Sequence, residues 1–127
     1  MSKESNHGNM NHCIFCKILN KEVPAEILYE DGDVVAFPDI AQLAPVHVLI
    51  IPKEHIISIN ELSGDAGKNI AGKLIMVAKK LAKEQGISES GYKLLFRVGN
   101  NGGQEVPHIH LHLIGGAPLT EDIHSVK

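Results

Sequence analysis

Three histidines near the C-terminal end of the chain alternate with apolar residues, in the order His108-Ile109-His110-Leu111-His112-Leu113. Successive side chains of a β-strand point to opposite faces, so this pattern predicts three imidazoles on one face and a core-packing surface on the other. Histidines two residues apart in a strand lie about 6.5 Å apart, close enough to pass protons or to share a metal ion. The alternative is a half-buried strand whose polar face happens to be histidine, which three of the chain's eight histidines in such a short segment disfavour.

A glycine-rich loop, residues 99–104, immediately precedes the histidines. Glycine lets backbone N–H groups approach and point at an oxyanion, so Gly103 and Gln104 are predicted to belong to an anion site. A neutral imidazole beside such a site can attack phosphorus, while its neighbours hold its tautomer and protonate the leaving group. The alternative for the glycines is a hairpin turn without a ligand.

The two cysteines, Cys13 and Cys16, have Cys-x-x-Cys spacing. In a cytosolic chain such a pair is more typical of a metal or redox site than of a structural disulfide. A redox role is disfavoured because no thioredoxin-like βαβ pattern surrounds the pair. Two buried or free thiols without a ligand remain the alternative.

The elements that must position these residues are predicted from hydrophobic periodicity and turn residues. Strands are expected at residues 27–30, 34–37, 46–51, 92–98 and in the histidine segment, with an Asp-Gly turn between the first two and Pro52 closing the third. Short helical segments are expected at residues 13–19 and near residues 56–61. The fold class predicted is α+β, an antiparallel sheet of about five strands with one long helix.

That long helix is predicted over residues 65–85. Ser63 or Asp65 can cap its beginning, and Gly86 can end it. One apolar stripe recurs at helical spacing, formed by Ile70, Leu74, Val77, Ala78 and Leu81, and lysines mark the opposite face. The lysines are most simply a solvated surface.

Composition bounds the class of protein. The chain has 127 residues and a net charge of −3, which fits one globular domain, and no Lys/Arg block favours a nucleic-acid partner. Residues 1–11 are polar and are predicted to be a disordered arm without a signal peptide, and no segment reaches the ~20 apolar residues of a membrane span. The domain is predicted to span residues 12–117, followed by a tail at 118–127. A cytoplasmic location is expected.

The sequence resembles the histidine triad (HIT) superfamily over about residues 13–117. The pattern that carries the resemblance is His-φ-His-φ-His-φ-φ at 108–114, where φ is apolar, preceded by Gly103-Gln104-Glu105-Val106. Further matches are typical of the nucleotide-binding HINT branch: Ile14-Phe15-x-Lys17-Ile18, Phe37-x-Asp39-Ile40, His47-x-Leu49-Ile50-Ile51-Pro52-Lys53-x-His55 and Gly115-Gly116. These motifs occur in the family's order.

The resemblance implies a purine nucleoside phosphoramidase or a related nucleotide hydrolase that acts as a homodimer without an organic cofactor. In such proteins the middle histidine attacks the α-phosphate and forms a nucleotidyl-histidine that water cleaves, which assigns the nucleophile to His110. His112 would contact the phosphate and assist proton transfer. His47 would lie next to the nucleophile as a fourth histidine, and His108 completes the catalytic set.

The same resemblance assigns the nucleotide-binding residues. Asp39 would accept hydrogen bonds from the ribose hydroxyls. The apolar slot for the base would be formed by Ile14, Phe15, Phe37 and Ile40. Considered without the family, the two phenylalanines are more typical of a plain core, and an aspartate directly after Pro38 is more typical of a turn.

Three positions depart from the family pattern. Arg97 stands where many relatives have an asparagine near the sugar and phosphate, and it is not counted among the predicted binding residues. Glu105 stands where some relatives carry a serine or threonine that hydrogen-bonds the phosphate, and Ala117 replaces an arginine that commonly follows Gly-Gly. These departures leave the substrate preference open.

A second site is implied by relatives that have the same cysteine pair. Cys13 and Cys16 with two distant histidines, His55 and His108, are a four-ligand set suited to structural Zn²⁺. Zinc would hold the N-terminal segment against the strand that carries His110 without entering the chemistry. His12 is a competing ligand.

Three other functions stay open beside the phosphoramidase. A dinucleoside polyphosphate hydrolase would use the same triad and base slot. A nucleotide- or protein-binding module with little turnover would keep the slot, and a scaffold held by zinc would bind no nucleotide.

Overall fold

The computed structural model describes residues 13–126, and within them the predicted α+β fold is confirmed. One antiparallel sheet is formed by β1 (Tyr29–Glu30), β2 (Val34–Pro38), β3 (Val46–Pro52), β4 (Tyr92–Phe96) and β5 (Leu111–Gly115), in the order β1-β2-β3-β5-β4. The helices are α1 (Ile14–Leu19) and α2 (Gly64–Glu84), with 3₁₀ turns at Ile59–Glu61 and Asn100–Gly102. The predicted arm at 1–11, and His12 with it, lies outside the described residues.

Helix α2 covers one face of the sheet. Its predicted apolar stripe is buried from Leu74 to Leu81, together with Ala82, and Ile70 packs against it. The stripe meets the side chains that β2, β3 and β5 direct to the same face. Gly86 has a positive φ of 77° just after the helix, a conformation that glycine adopts at little cost. No helix among residues 13–126 is long and apolar enough to cross a membrane.

Helix α1 covers part of the opposite face. Phe15 and Cys16 pack there against side chains of β2 and β3, namely Val35, Phe37, Leu49 and Ile51. Cys13 is the N-cap of α1, and its Sγ accepts a hydrogen bond from the Cys16 amide at 3.3 Å. The predicted helical turn at 13–19 is therefore present, and the cysteine pair lies at its beginning.

Three predicted strands are shorter than expected. Strand β5 begins at Leu111, so His112 lies in the sheet while His108 and His110 precede it. Strand β4 ends at Phe96, and β1 leaves out Ile27 and Leu28. The alternation nevertheless continues through the segment before β5, because Ile109, Leu111 and Leu113 all join the core under α2. The histidines therefore point to the α1 side.

Candidate active site and metal centre

A cleft of about 790 Å³ opens on the α1 side of the sheet, a volume typical of sites for small ligands. Its lining includes most of the predicted site: Ile14, Phe15, Phe37, Asp39, Ile40, His47, Gly103, His110 and His112. Two predicted residues are not in the lining, His108 and Gln104. The cleft therefore gathers residues from α1, the β2–β3 connection and the segment before β5.

The His110 ring is held by a backbone carbonyl. Its Nδ1 lies 2.8 Å from the carbonyl oxygen of His108. A carbonyl oxygen only accepts, so Nδ1 carries the proton and Nε2 presents a lone pair. Phe15 packs edge-on against the ring, with centroids 5.0 Å apart. A fixed imidazole with a free lone pair at a cleft can act as a nucleophile or a base.

His112 has the opposite polarity, which follows from a chain of hydrogen bonds. The Leu43 amide donates to His47 Nδ1 at 3.1 Å, so the proton of neutral His47 lies on Nε2. His47 Nε2 lies 2.9 Å from His112 Nδ1 and must donate to it. The proton of neutral His112 is thereby assigned to Nε2.

That Nε2 of His112 is buried and has no hydrogen-bond partner among residues 13–126. A buried polar atom without a partner is costly, and at a cleft it indicates a place for a ligand acceptor. The sequence predicted that His47 lies next to His110, whereas the hydrogen bond found for His47 is to His112. His47 therefore acts on the cleft through the tautomer of its neighbour.

All three cleft histidines are kept neutral. Burial lowers the pKa of His47 and His110, and burial with the neighbouring His110 lowers the pKa of His112 to about 4. The Asp39 carboxylate partly opposes the effect, since its Oδ2 lies 3.3 Å from His47 Nε2. Near pH 7 one ring can therefore offer a lone pair and another an N–H donor.

Of the four residues predicted to form the base slot, the two phenylalanines are buried and the two isoleucines are exposed. Phe15 and Phe37 are 6% and 3% exposed and meet edge to face at 5.6 Å, so they belong to the core while also lining the cleft. Ile14 is half-exposed and Ile40 is fully exposed at the rim. Asp39 Oδ1 accepts from the Ala41 amide at 2.9 Å, as a turn residue does.

The backbone amides of residues 102–104 do not form the predicted anion site. The amides of Gly102 and Gln104 donate to the carbonyl of Gly99, and that of Gly103 donates to Asn100. These three N–H groups are therefore engaged within the loop itself. The Gln104 side chain braces the loop, because its Nε2 donates to the carbonyls of Ile57 and Val106. Gln104 thus positions the segment before β5 and does not face the cleft.

Four ligand atoms converge behind Phe15, from the predicted metal residues Cys13, Cys16, His55 and His108. Cys13 Sγ lies 3.4 Å and Cys16 Sγ 3.6 Å from His108 Nδ1, and Cys16 Sγ lies 3.1 Å from His55 Nδ1. The two Nδ1 atoms are 3.2 Å apart. Tetrahedral zinc with ordinary bond lengths separates S and N by about 3.6 Å and two N atoms by about 3.3 Å. The residues therefore fit a four-coordinate metal ion.

The chemistry of the cluster also suits a cation. His108 Nε2 donates to the Pro52 carbonyl at 2.9 Å, which leaves its Nδ1 lone pair directed into the cluster. Burial and the neighbouring Cys13 raise the pKa of the Cys16 thiol to about 12, a cost that a bound cation would offset. The cluster can hold a metal ion, and its residues are buried, as in a structural site.

A second group of three ligand atoms, from Asp39, His47 and His112, is close enough to be considered for a metal. Its two imidazoles already share a hydrogen bond, and both nitrogens of His47 are engaged. We therefore interpret this group as a hydrogen-bond relay at the cleft. The Leu43 amide that begins the relay was missed by the sequence reasoning, because a backbone group leaves no signal in the residue pattern.

Comparison with known proteins identifies the family of the chain. The model of the HIT domain family matches residues 20–119. The chain belongs to the HIT domain family. It is 47% identical over 106 residues to the purine nucleoside phosphoramidase of Escherichia coli K12, covering 84% of this chain and 88% of that protein.

Solved structures of the family give the same result. A HIT family hydrolase from Legionella pneumophila Philadelphia 1 is 49% identical with a TM-score of 0.83, covering 87% of this chain and 98% of that one. A HIT family hydrolase from Clostridium thermocellum is 44% identical with a TM-score of 0.83, covering 89% and 97%. The predictions of the HIT fold and of a hydrolase are confirmed by these HIT relatives.

Proposed function

We propose that this HIT protein hydrolyses the P–N bond of purine nucleoside 5′-phosphoramidates or related nucleoside monophosphate conjugates. The observation that carries the proposal is the paired polarity of two neighbouring rings: His110 offers a lone pair and His112 a buried N–H donor. Specificity for a purine and for a P–N bond is suggested by the E. coli relative, which is a purine nucleoside phosphoramidase. Dinucleoside polyphosphates would need the same two groups and are distinguished by experiment.

In the first step His110 Nε2 attacks the α-phosphorus, and a bond from phosphorus to imidazole replaces the bond to the leaving nitrogen. The N–H of His112 stabilises the charge that develops on the phosphoryl oxygens and stays on the ring, and the departing amine takes its proton from solvent as the P–N bond breaks. In the second step water attacks phosphorus, the P–N bond to His110 breaks with its electron pair returning to Nε2, the proton of the water passes to solvent, and the nucleoside monophosphate leaves. The His108 carbonyl stabilises the charged His110 ring while the intermediate exists.

The base and ribose are bound on the α1 side of the cleft in this proposal. The faces of Phe15 and Phe37 with Ile14 and Ile40 form an apolar wall for a planar base. Asp39 keeps Oδ2 at the cleft, where it can accept from ribose hydroxyls as well as from His47. An apolar wall accepts any base in principle, so the proposed preference for purines is based on the similarity to the E. coli phosphoramidase.

The metal of the buried cluster is proposed to be Zn²⁺ in a structural role. Two thiolates and two imidazoles at tetrahedral spacing suit zinc. Bound there, zinc would supply a rigid crosslink between α1 and the segment before β5. Phe15 contacts both His108 and His110, so the same helix that the metal holds also packs against the nucleophile.

A homodimer is also proposed, on the resemblance to the family and on the free edge of β4 in the described sheet. Sedimentation equilibrium tests it: twice the mass of one chain is expected at micromolar concentration, and a monomer under those conditions contradicts it.

The experiment that tests the activity is turnover of adenosine 5′-phosphoramidate by the wild type and by His110→Ala. Loss of the nucleophile should lower kcat by at least about a thousandfold, while AMP still binds. His124→Ala is the matched control, since this histidine is exposed, bonded to Asp122 and not among the residues that line the cleft. A His110→Ala enzyme with the wild-type rate would exclude covalent catalysis at this residue. An inert wild type that binds AMP would favour the binding module instead.

A further inference from the structure

Arg97 lies one residue beyond β4, beside the proposed nucleophile. In the β4–β5 ladder Leu95 pairs with His112 and Phe96 with Leu111. Extending this antiparallel register by one residue places Arg97 opposite His110. Because side chains alternate along a strand, Arg97 shares the face of Leu95 and His112, and it lines the cleft accordingly.

The guanidinium of Arg97 has no protein acceptor in the described part of the chain. It forms no hydrogen bond or ion pair with any of residues 13–126, although the side chain is half-buried. Lys93, on the same face of the same strand, is by contrast engaged by the Thr120 carbonyl at 2.8 Å and by Glu121 at 2.9 Å. Five N–H donors of Arg97 are therefore free to meet a ligand.

The charge of the cleft gives a reason for such a ligand contact. Among the described lining residues Arg97 is the one lysine or arginine, and Glu26, Asp39 and Glu105 contribute carboxylates. Arg97 is therefore the one cationic side chain in the described lining that can attract the phosphate of an anionic nucleotide and offset part of this negative charge.

The glycine loop leaves room for the arginine. A Cβ atom on Gly103 would lie 3.6 Å from Cδ and 3.7 Å from Nη1 of Arg97, so the side chain packs directly on this glycine. Gly103 also has a φ of +81°, which a larger residue would adopt only with strain. Since the amides of Gly102, Gly103 and Gln104 are engaged within the loop, the donor for an anion at this place is the guanidinium that the loop supports.

From this arrangement we infer that Arg97 binds the non-bridging phosphoryl oxygens of the nucleotide. The phosphate lies over His110 Nε2, with the His112 N–H on one side and the guanidinium on the other. A planar guanidinium fork matches two phosphoryl oxygens, which an asparagine amide cannot do with a full charge. The inference rests on the proposed function for the position of the phosphate and adds a residue that recognises it.

Calorimetric titration with AMP and with adenosine tests this role, because the two ligands differ only in the phosphate. Arg97→Met should weaken AMP binding by about 10- to 100-fold and change adenosine binding by less than about twofold. Arg97→Lys keeps the charge but loses the planar guanidinium, so its AMP affinity should lie between those of the wild type and Arg97→Met. Lys93→Met is the matched control on the same strand face and should keep both affinities. Thermal unfolding of each variant verifies that it is folded.

Two results overturn the inference: an unchanged ratio of AMP to adenosine affinity in Arg97→Met, or a wild type that does not prefer AMP to adenosine. The outcome is separable from that of the proposed function. A wild type that binds AMP through Arg97 but releases no AMP from the phosphoramidate retains the phosphate contact and loses the hydrolase proposal. A wild type with normal phosphoramidate turnover, together with an unchanged ratio of AMP to adenosine affinity in Arg97→Met, retains the hydrolase proposal and loses the phosphate contact.

Discussion

Two groups of buried histidines lie on either side of Phe15 and are used differently. His108 directs Nδ1 into a closed cluster with His55 and the two cysteines. His110, two residues later, turns Nε2 to an open cleft. Phe15 contacts both rings, at centroid distances of 5.8 Å from His108 and 5.0 Å from His110. The residue type is the same, so the difference must come from what each second ring nitrogen meets.

In the closed cluster a backbone carbonyl takes the outer N–H of His108, and the inner lone pair joins three other ligand atoms at metal-binding distances. In the cleft a carbonyl takes the N–H of His110, and the free lone pair meets no protein group that the structure describes. His112, which also lines the cleft, receives a hydrogen bond at Nδ1 instead and carries its N–H on the buried Nε2. A ring's partner therefore decides whether it acts as ligand, nucleophile or donor.

After the loss of the nucleophile itself, the largest effect is expected from His112 in the cleft. His112→Ala should lower kcat/KM for a phosphoramidate by about 100- to 1000-fold, because the oriented N–H donor is lost. His112→Gln, whose amide nitrogen can approach the place of Nε2, should recover part of the rate. His112→Asn, whose amide reaches only the place of Nδ1, should not. Equal rates for the two amide variants would show that the direction of the N–H is not what matters.

A smaller effect on catalysis and a larger one on stability are expected from the closed cluster. Cys16→Ser, or treatment with a zinc chelator, should remove about one zinc per chain and lower Tm by at least about 5 °C. KM should rise because α1 carries Ile14 and Phe15 in the cleft wall, whereas kcat should fall by less than about tenfold.

The chelator applied to Cys16→Ser is the control for this metal prediction and should change nothing further. Metal analysis, thermal unfolding and kinetics measure the three quantities on the same samples. A serine variant that keeps both its zinc and its Tm would contradict the assignment of the cluster.

The smallest effect concerns pH in the cleft. Burial and the neighbouring His110 lower the pKa of His112 from 6.5 to about 4, so the ring stays neutral well below pH 6.5. Protonation of His112 should therefore not lower the rate at pH 5.5, where an ordinary imidazole would be about 90% protonated. A pH–rate profile with a falling limb centred near 6.5 would contradict this.

The same shift has a consequence for stability. Because the folded pKa of His112 is depressed, its contribution to folding is present above the unfolded value of 6.5 and is lost as pH falls towards 4. Urea unfolding between pH 7 and pH 5 measures this dependence, with His112→Ala as the comparison. An equal pH dependence in the two proteins would show that another group is responsible.

Much of the fold could be predicted from local pattern. The apolar stripe from Leu74 to Leu81 places α2 on the sheet, and the helix ends at Glu84, one residue before the predicted end, with Gly86 following as expected. The alternation from Ile109 to Leu113 fixes which side chains enter the core even where the strand has not begun. Such patterns survive errors in element bounds because burial depends on the direction of a side chain and not on a strand assignment.

Local pattern did not give the hydrogen bonding of the glycine loop or the neighbours of residues at the end of β4. The Gly103 and Gln104 amides were expected to meet an anion, yet the loop turns them onto its own carbonyls. Arg97 was left out of the predicted site, and only the pairing of β4 with β5 puts it beside the histidines. Turn geometry and strand register depend on the whole sheet, so a single segment does not determine them.

The sequence by itself determined which functional residues are present and which side of their segment they occupy. It gives three histidines on one side of a segment, apolar residues that bury the other side, and a Cys-x-x-Cys pair at the start of a helix. Only the tertiary structure decided the protonation pattern. Pro52, Leu43 and the His108 carbonyl each engage one nitrogen of a ring and so choose which nitrogen of that ring, or of its neighbour, faces a ligand. A neutral imidazole has one proton for two nitrogens, and the nearest acceptor or donor, brought by the fold from elsewhere in the chain, settles where that proton lies.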